Sequence, residues 1–182
     1  SHNPYTDNGI KVFNKGFKTT EAEEKIIESF IDTSKLTIES YGNFELSSDF
    51  KETYLKIYEQ FSHNLPNLKI AYDSAHGANY QIAKELFDRY APGSIQIGNK
   101  PDGLNINKGV GSTHMDYIQN YIKENNLDVG FSFDGDGDRL LVCDQHKIYD
   151  GDEIIYIISS YLKKKGLLKH NHIVLTKMSN PG

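Results

Sequence analysis

Tryptophan is absent from this sequence of 182 residues, cysteine occurs once and proline five times. The lone thiol, Cys143, has no internal partner, which excludes a disulfide-stapled scaffold. No apolar run approaches the roughly 18 residues needed to cross a bilayer, and no segment has the layout of a signal peptide. The cytoplasm is therefore the expected compartment, and no membrane partner is expected. Positive charge is short as well: Lys and Arg number 20 against 25 Asp and Glu, a net charge of −5. That is the wrong balance for a protein held to nucleic acid by neutralising its phosphates, so any phosphate is handled locally. With glycine counted in place of tyrosine, apolar residues come to about 38 %, below the roughly 45–50 % of ordinary domains. So lean a core fits a piece separated from its packing partners.

The 12 Tyr, 9 Phe and 25 % charged residues are ordinary for a folded soluble chain, and the length corresponds to between one and two domains. Residues 1–16 are polar and turn-rich, with a short alternation at Ile10, Val12 and Phe13 that reads as a loop entering a hairpin. Thr20 before Glu21, Glu23 and Glu24, with Ile26, Ile27, Phe30 and Ile31 at helical spacing, predicts a capped helix over 20–31. Residues 32–50 hold no sustained period, which places a domain boundary near 48. Tyr54, Ile57, Tyr58 and Phe61 then mark a helix stopped at Asn64-Leu65-Pro66.

Strands are expected at 68–73, 94–97, 128–133 and 139–143, alternating with helices at 79–89, 113–125 and 152–165. That order predicts a three-layer α/β/α sandwich around a mixed, mostly parallel sheet, with one antiparallel neighbour after the tight 133–139 connection. A further strand is expected at 172–176. The domain reading is 1–47, 48–169 and 170–182, the last being the opening of another unit.

The densest chemistry is Phe133-Asp134-Gly135-Asp136-Gly137-Asp138-Arg139. Three carboxylates on alternate residues, separated by glycines that let the backbone curl, can aim their oxygens at one point, where they repel unless a hard cation sits among them. An EF-hand also uses alternate acids, but it needs Gly sixth and Glu twelfth, where this chain has Arg139 and Gln145. Open positions beside three carboxylates suit Mg²⁺ shared with phosphate oxygens, which makes phosphoryl transfer the leading chemistry. The plain alternative is a solvated acidic turn. At the other end, Ser1-His2-Asn3-Pro4 precedes Asp7-Asn8-Gly9-Ile10-Lys11: a hydroxyl able to carry phosphate, with His2 and Lys11 able to move protons or offset charge.

Together these stretches resemble the α-D-phosphohexomutase superfamily, in which a Ser-His-Asn-Pro loop carries the catalytic phosphoserine and an Asp-Gly-Asp-Gly-Asp-Arg loop holds Mg²⁺. Both motifs stand here in the family's order. The resemblance implies that Ser1 is the phosphorylated serine, Lys11 the acid/base and His2 a helper at the same site. It further implies that Asp134, Asp136 and Asp138 are metal ligands, with Ser1 completing the set, and that Arg139 stands by the phosphoryl group. Asp73-Ser74-Ala75-His76-Gly77-Ala78, Pro101-Asp102-Gly103-Leu104-Asn105-Ile106-Asn107, Val110-Gly111-Ser112-Thr113-His114 and Met178-Ser179-Asn180 look most like the superfamily's bacterial phosphoglucosamine mutases, whereas Pro181 departs from the pattern.

The implied partner is a phosphorylated hexose or hexosamine. The implied reaction interconverts glucosamine 6-phosphate and glucosamine 1-phosphate through a sugar bisphosphate. A phosphomannomutase/phosphoglucomutase is the alternative within the class, and a non-catalytic Mg²⁺-binding module the alternative outside it. By the same resemblance the 182 residues look like a central slice of such an enzyme. His76, His114, His146, His170 and His172 lack ligand-like spacing. Asp150-Gly151-Asp152 reads as a helix cap, Lys163-Lys164-Lys165 as a solvated helix end and Cys143 as a packed small hydrophobe.

Overall fold

The computed structural model describes residues 2–7, 9–32, 40, 42, 43, 45, 49–61 and 67–179. Ser1, Asn8, most of the aperiodic 32–50 stretch, the Asn64-Leu65-Pro66 stop and the terminal Asn180-Pro181 lie outside the described residues.

The chain opens as a hairpin of β1 (Phe13–Asn14) and β2 (Phe17–Lys18), followed by α1 (Glu21–Asp32). The helix starts where its cap is made: Thr20 N–H donates to Glu23 Oε2 at 2.8 Å while Glu23 N–H donates to Thr20 Oγ1 at 3.4 Å, a reciprocal box at the acidic first turn. Its apolar residues Ile26, Phe30 and Ile31 stay exposed.

The α/β body follows. It consists of α2 (Asp49–Tyr58), continued by a 3₁₀ turn over Glu59–Phe61, then β3 (Ile70–Asp73), α3 (Tyr80–Tyr90), β4 (Ile95–Ile97), α4 (Met115–Glu124), β5 (Val129–Phe133), β6 (Leu140–Cys143), β7 (Ile148–Tyr149) and α5 (Gly151–Lys164). The sheet runs β4-β3-β5-β6-β7. β3 pairs in parallel with β4 and β5, and β6 is antiparallel to both its neighbours, so four strands share one direction and β6 opposes them.

Strand alternation sorts the layers. Ala71, Ile97 and Cys143 point to the face covered by α4, where Met115, Ile118 and Ile122 close the main core. On the opposite face Tyr72 stacks on Phe87 of α3, with ring centroids 3.9 Å apart and planes 7° from parallel, and Phe131 lies beside them. Helix α2 lies along α3, joined by the Lys51–Glu85 ion pair at 2.6 Å. The three layers match the expected sandwich.

Two details differ from the sequence reading. β7 was not expected; it is two residues long, too short to show a period, and forms because the Asp144–Lys147 turn folds it back on β6. The strand expected at 172–176 is absent: these residues are exposed and carry no strand pairing. β-branched composition alone makes no strand, since its backbone groups need a neighbouring strand to bond.

Helix α5 begins at the cap predicted for it. Asp150 Oδ1 accepts the Glu153 N–H at 2.9 Å, and Asp150 N–H donates to Glu153 Oε2 at 3.3 Å. Asp150→Ala should therefore cost about 1 kcal/mol, read as a lower midpoint in urea unfolding. α5 has no buried residue, and Tyr156, Ile157, Ile158 and Tyr161 are all more than half exposed.

Cys143 is fully buried, and burial, with the Asp144 charge adding to it, pushes its thiol from an ordinary 9.0 up to about 11. The unfolded chain therefore ionises first. Whatever stability the neutral thiol contributes is complete below pH 9 and is lost as pH rises through about 11. Iodoacetamide at pH 8 should leave Cys143 unmodified in the native chain and label it fully in denaturant, with the extent read by intact mass.

Candidate functional site

The order β4-β3-β5 places the first strand of the body between the next two. The chain leaves β3 through α3 on one face and returns through α4 on the other, so a crevice opens beyond the carboxyl ends of β3 and β5. Asp73 ends β3, and Asp134 directly follows β5.

The 134–139 connection joins β5 to β6, whose register pairs Phe133 with Leu140. Asp134 is 1 % exposed and its carboxylate organises the turn. Its Oδ1 accepts the Gly137 and Arg139 N–H groups, each at 3.1 Å, while its carbonyl accepts Gly137 N–H at 3.0 Å. Asp136 and Asp138 extend from the same turn into solvent. One oxygen from each of the three carboxylates lies within 4.8 Å of the other two. Three hard, negative oxygen donors at that spacing fit a divalent cation such as Mg²⁺, whose charge offsets their repulsion.

Two cationic side chains flank the loop. Lys11 Nζ stands 3.5 Å from Asp136 Oδ2, and Arg139 Nη1 donates to His2 Nδ1 at 2.7 Å. Arginine has only donors, so His2 accepts through Nδ1. Residues separated by 125 and 137 positions thus meet at one loop. The N-terminal segment is also fixed by Asn107, whose Nδ2 donates to Asn3 O at 3.0 Å, and by Lys108, whose Nζ sits 4.5 Å from the Tyr5 ring centre. Between this segment and the 103–106 loop lies a cleft of about 810 Å³ that reaches Lys11 and Asp136.

The structure therefore brings His2, Lys11, Asp134, Asp136, Asp138 and Arg139 together; Ser1 lies outside the described residues. Among the histidines without ligand spacing, His76 supports the frame: its Nδ1 accepts the Lys100 N–H at 3.0 Å.

Sequence reasoning missed the supports behind the loop. Asp73 is wholly buried, and burial pushes its carboxyl upward while the N–H groups of Gly111 and Ala75 pull it back. Ala75 and His76 follow it in the left-handed region, with φ of 54° and 49°, a conformation that non-glycine residues keep only when neighbours enforce it. Here Ala75 N–H is held by Asp73 Oδ1 at 2.8 Å and His76 N–H by Gly98 O at 2.6 Å. An acid at the end of the first parallel strand, before a turn, was the available signal.

Comparison with known proteins follows the same outline. Residues 49–147 match the family model described as phosphoglucomutase/phosphomannomutase, alpha/beta/alpha domain II, and residues 1–37 match that of domain I. A phosphoglucosamine mutase from Exiguobacterium sp. is 45 % identical over an alignment covering 100 % of this chain and 42 % of that protein. One from Geobacillus thermodenitrificans is 43 % identical with the same coverage. The fold is similar to that of a phosphoglucomutase/phosphomannomutase family protein from Burkholderia thailandensis, with a TM-score of 0.65 at 22 % identity over 90 % of this chain and 36 % of that one. The chain spans 42 % of the length of the curated relatives it matches.

Proposed function

This chain belongs to the phosphoglucomutase/phosphomannomutase family, and from that membership we propose that it carries the phosphoserine and metal loops of a mutase interconverting glucosamine 6-phosphate and glucosamine 1-phosphate. The observation that carries the reading is the meeting of three carboxylates within 4.8 Å of one another with Lys11, 125 positions from Asp136, and with Arg139 of the same loop. The choice of amino sugar is supported by the names of the relatives at 43–45 % identity.

In this reading Asp134, Asp136 and Asp138 would hold Mg²⁺ together with the Ser1 phosphate. The ion, when bound, supplies positive charge to the oxygens of the group in transfer. The residues of the chain do the rest. The Ser1 O–P bond breaks as a sugar hydroxyl oxygen bonds to phosphorus; the hydroxyl gives up its proton and the serine oxygen gains one. Lys11, beside Asp136, would exchange that proton, and the Arg139 guanidinium, hydrogen-bonded to His2, suits the phosphoryl oxygens. The return step transfers the other phosphate of the bisphosphate back to Ser1. Residues 1–47, 48–169 and 170–182 are read as the end of one domain, a second domain and the opening of a third.

Incubation of the chain with Mg²⁺ and glucosamine 1,6-bisphosphate should add one phosphate by intact mass, located on Ser1 by fragmentation, and Ser1→Ala should take none. Sustained interconversion is not expected from these 182 residues alone, because positioning of the sugar supplies much of the catalysis. Glucose and mannose 1,6-bisphosphates test the alternative branch, which the family description itself names. Failure of all three donors to modify Ser1 would leave only a metal-binding module.

A further inference from the structure

Asp73 takes no part in the chemistry proposed above, yet its side chain lies where three of the loops behind the site meet. Its Oδ1 accepts the Ala75 N–H at 2.8 Å and its Oδ2 the Gly111 N–H at 2.6 Å, so one carboxylate joins the loop after β3 to the loop before α4. The loop after β4 closes on the same group: a Cβ at Gly98 would lie 2.1 Å from Asp73 Oδ1, and the Gly98 φ of +57° admits glycine without strain.

From these contacts the ties run on to the carboxylate loop. Ser112, next to Gly111, donates its N–H to Phe133 O at 2.9 Å, immediately before Asp134. Ala78 donates to Gly135 O at 2.8 Å, between Asp134 and Asp136. Ala75 O accepts the Asn107 N–H at 2.9 Å, and the Asn107 side chain holds Asn3 O.

We propose that Asp73 is a positioning residue for the carboxylate loop: by holding Ala75 and Gly111 it fixes the backbone on both sides of Asp134, and with it the mutual placement of the three carboxylates. The relay itself runs through backbone contacts. Only its consequence for metal affinity rests on the metal reading given above.

The test uses the ¹⁵N-labelled 182-residue chain, with amide hydrogen exchange and Mn²⁺ titration followed by electron paramagnetic resonance. Asp73→Asn places an amide NH₂ where a backbone N–H must be accepted. Protection should fall at Ala75 and Gly111, and also at Ala78 and Ser112, whose partners are Gly135 and Phe133, while the Ile118 and Ile122 amides of α4 keep theirs. Mn²⁺ affinity should fall about 10- to 100-fold, the usual effect of losing a support behind a metal ligand. Ile118→Val, which loosens the α4 core without touching the loops, should move neither readout.

Unchanged protection at Ala78 and Ser112 in a variant whose Gly111 amide exchanges freely would overturn the relay. A wild-type chain without a Mn²⁺ site would refute the metal reading, and the exchange pattern would still decide the role of Asp73. If Asp73→Asn does not fold, exchange of the wild type in mild denaturant decides instead. The relay requires Ala75, Ala78, Gly111 and Ser112 to share one opening free energy, and four unrelated values would refute it.

Discussion

Asp134→Ala should bring Mg²⁺ and Mn²⁺ binding below detection and slow phosphoryl transfer to or from Ser1 by about 10²–10³-fold, the scale of losing one fixed electrostatic stabiliser. The size follows from two jobs resting on one side chain. As the proposed metal donor, Asp134 is the buried member of the three carboxylates, so its loss removes the oxygen whose place the protein fixes most firmly. As an acceptor, it holds the Gly137 and Arg139 N–H groups that shape the turn presenting Asp136 and Asp138. Asp138→Asn, in an exposed side chain, should cost less. Thermal unfolding provides a check independent of activity. A metal held at 100 times its Kd stabilises the native state by about 2.7 kcal/mol, so Mg²⁺ should raise the wild-type midpoint and leave that of Asp134→Ala unmoved. An Asp134→Ala chain with wild-type Mn²⁺ affinity would remove the carboxylate loop from the mechanism.

The second large effect is expected at Gly77→Ala. A Cβ at Gly77 would lie 2.1 Å from Gly135 O and 2.7 Å from Gly135 C, both backbone atoms of the carboxylate loop. No flexible side-chain end is there to yield, so one loop must move. We expect a loss of about 1–3 kcal/mol in stability from overpacking. A separate fall of about 10- to 100-fold in Mn²⁺ affinity should accompany it. Gly151→Ala is the matched control: nothing lies within 4 Å of its added methyl, and it opens α5 far from the loop. Its stability should be unchanged or slightly raised. Equal behaviour of the two variants in urea unfolding and Mn²⁺ titration would show that the close approach carries no energetic weight.

The parts of this molecule that could be read in advance are those written in consecutive residues. Ile118 and Ile122 fall one helical turn apart, Ile70 to Asp73 alternate between faces, and Asp134, Asp136 and Asp138 stand on alternate positions of one turn. Each is a local pattern with a local cause. What escaped reading depends on partners distant in the chain. Asp73 takes its meaning from Gly111, 38 positions away, and Arg139 from His2. Periodicity carries no trace of either pair. Strand order was hidden in the same way: alternation of strands and helices predicts a parallel sheet, but only the central place of β3 locates the crevice between Asp73 and Asp134. Residues 172–176 show the converse error, since β-branched side chains state a preference that only a neighbouring strand can satisfy.

The way the N-terminal segment is attached also bears on the order in which the molecule assembles. β3 pairs with β4 across 24 residues and with β5 across 59, so this unit closes shorter loops than the N-terminal contacts do. Lys11 meets Asp136 across 125 residues and His2 meets Arg139 across 137, through exposed polar contacts that bury little apolar surface. Such contacts pay the largest loop-closure entropy for the smallest return, so they form after the body and are the first to open. The carboxylate loop is thus expected to be complete in a chain whose Lys11 and His2 have yet to arrive, and these two side chains to join it late in folding.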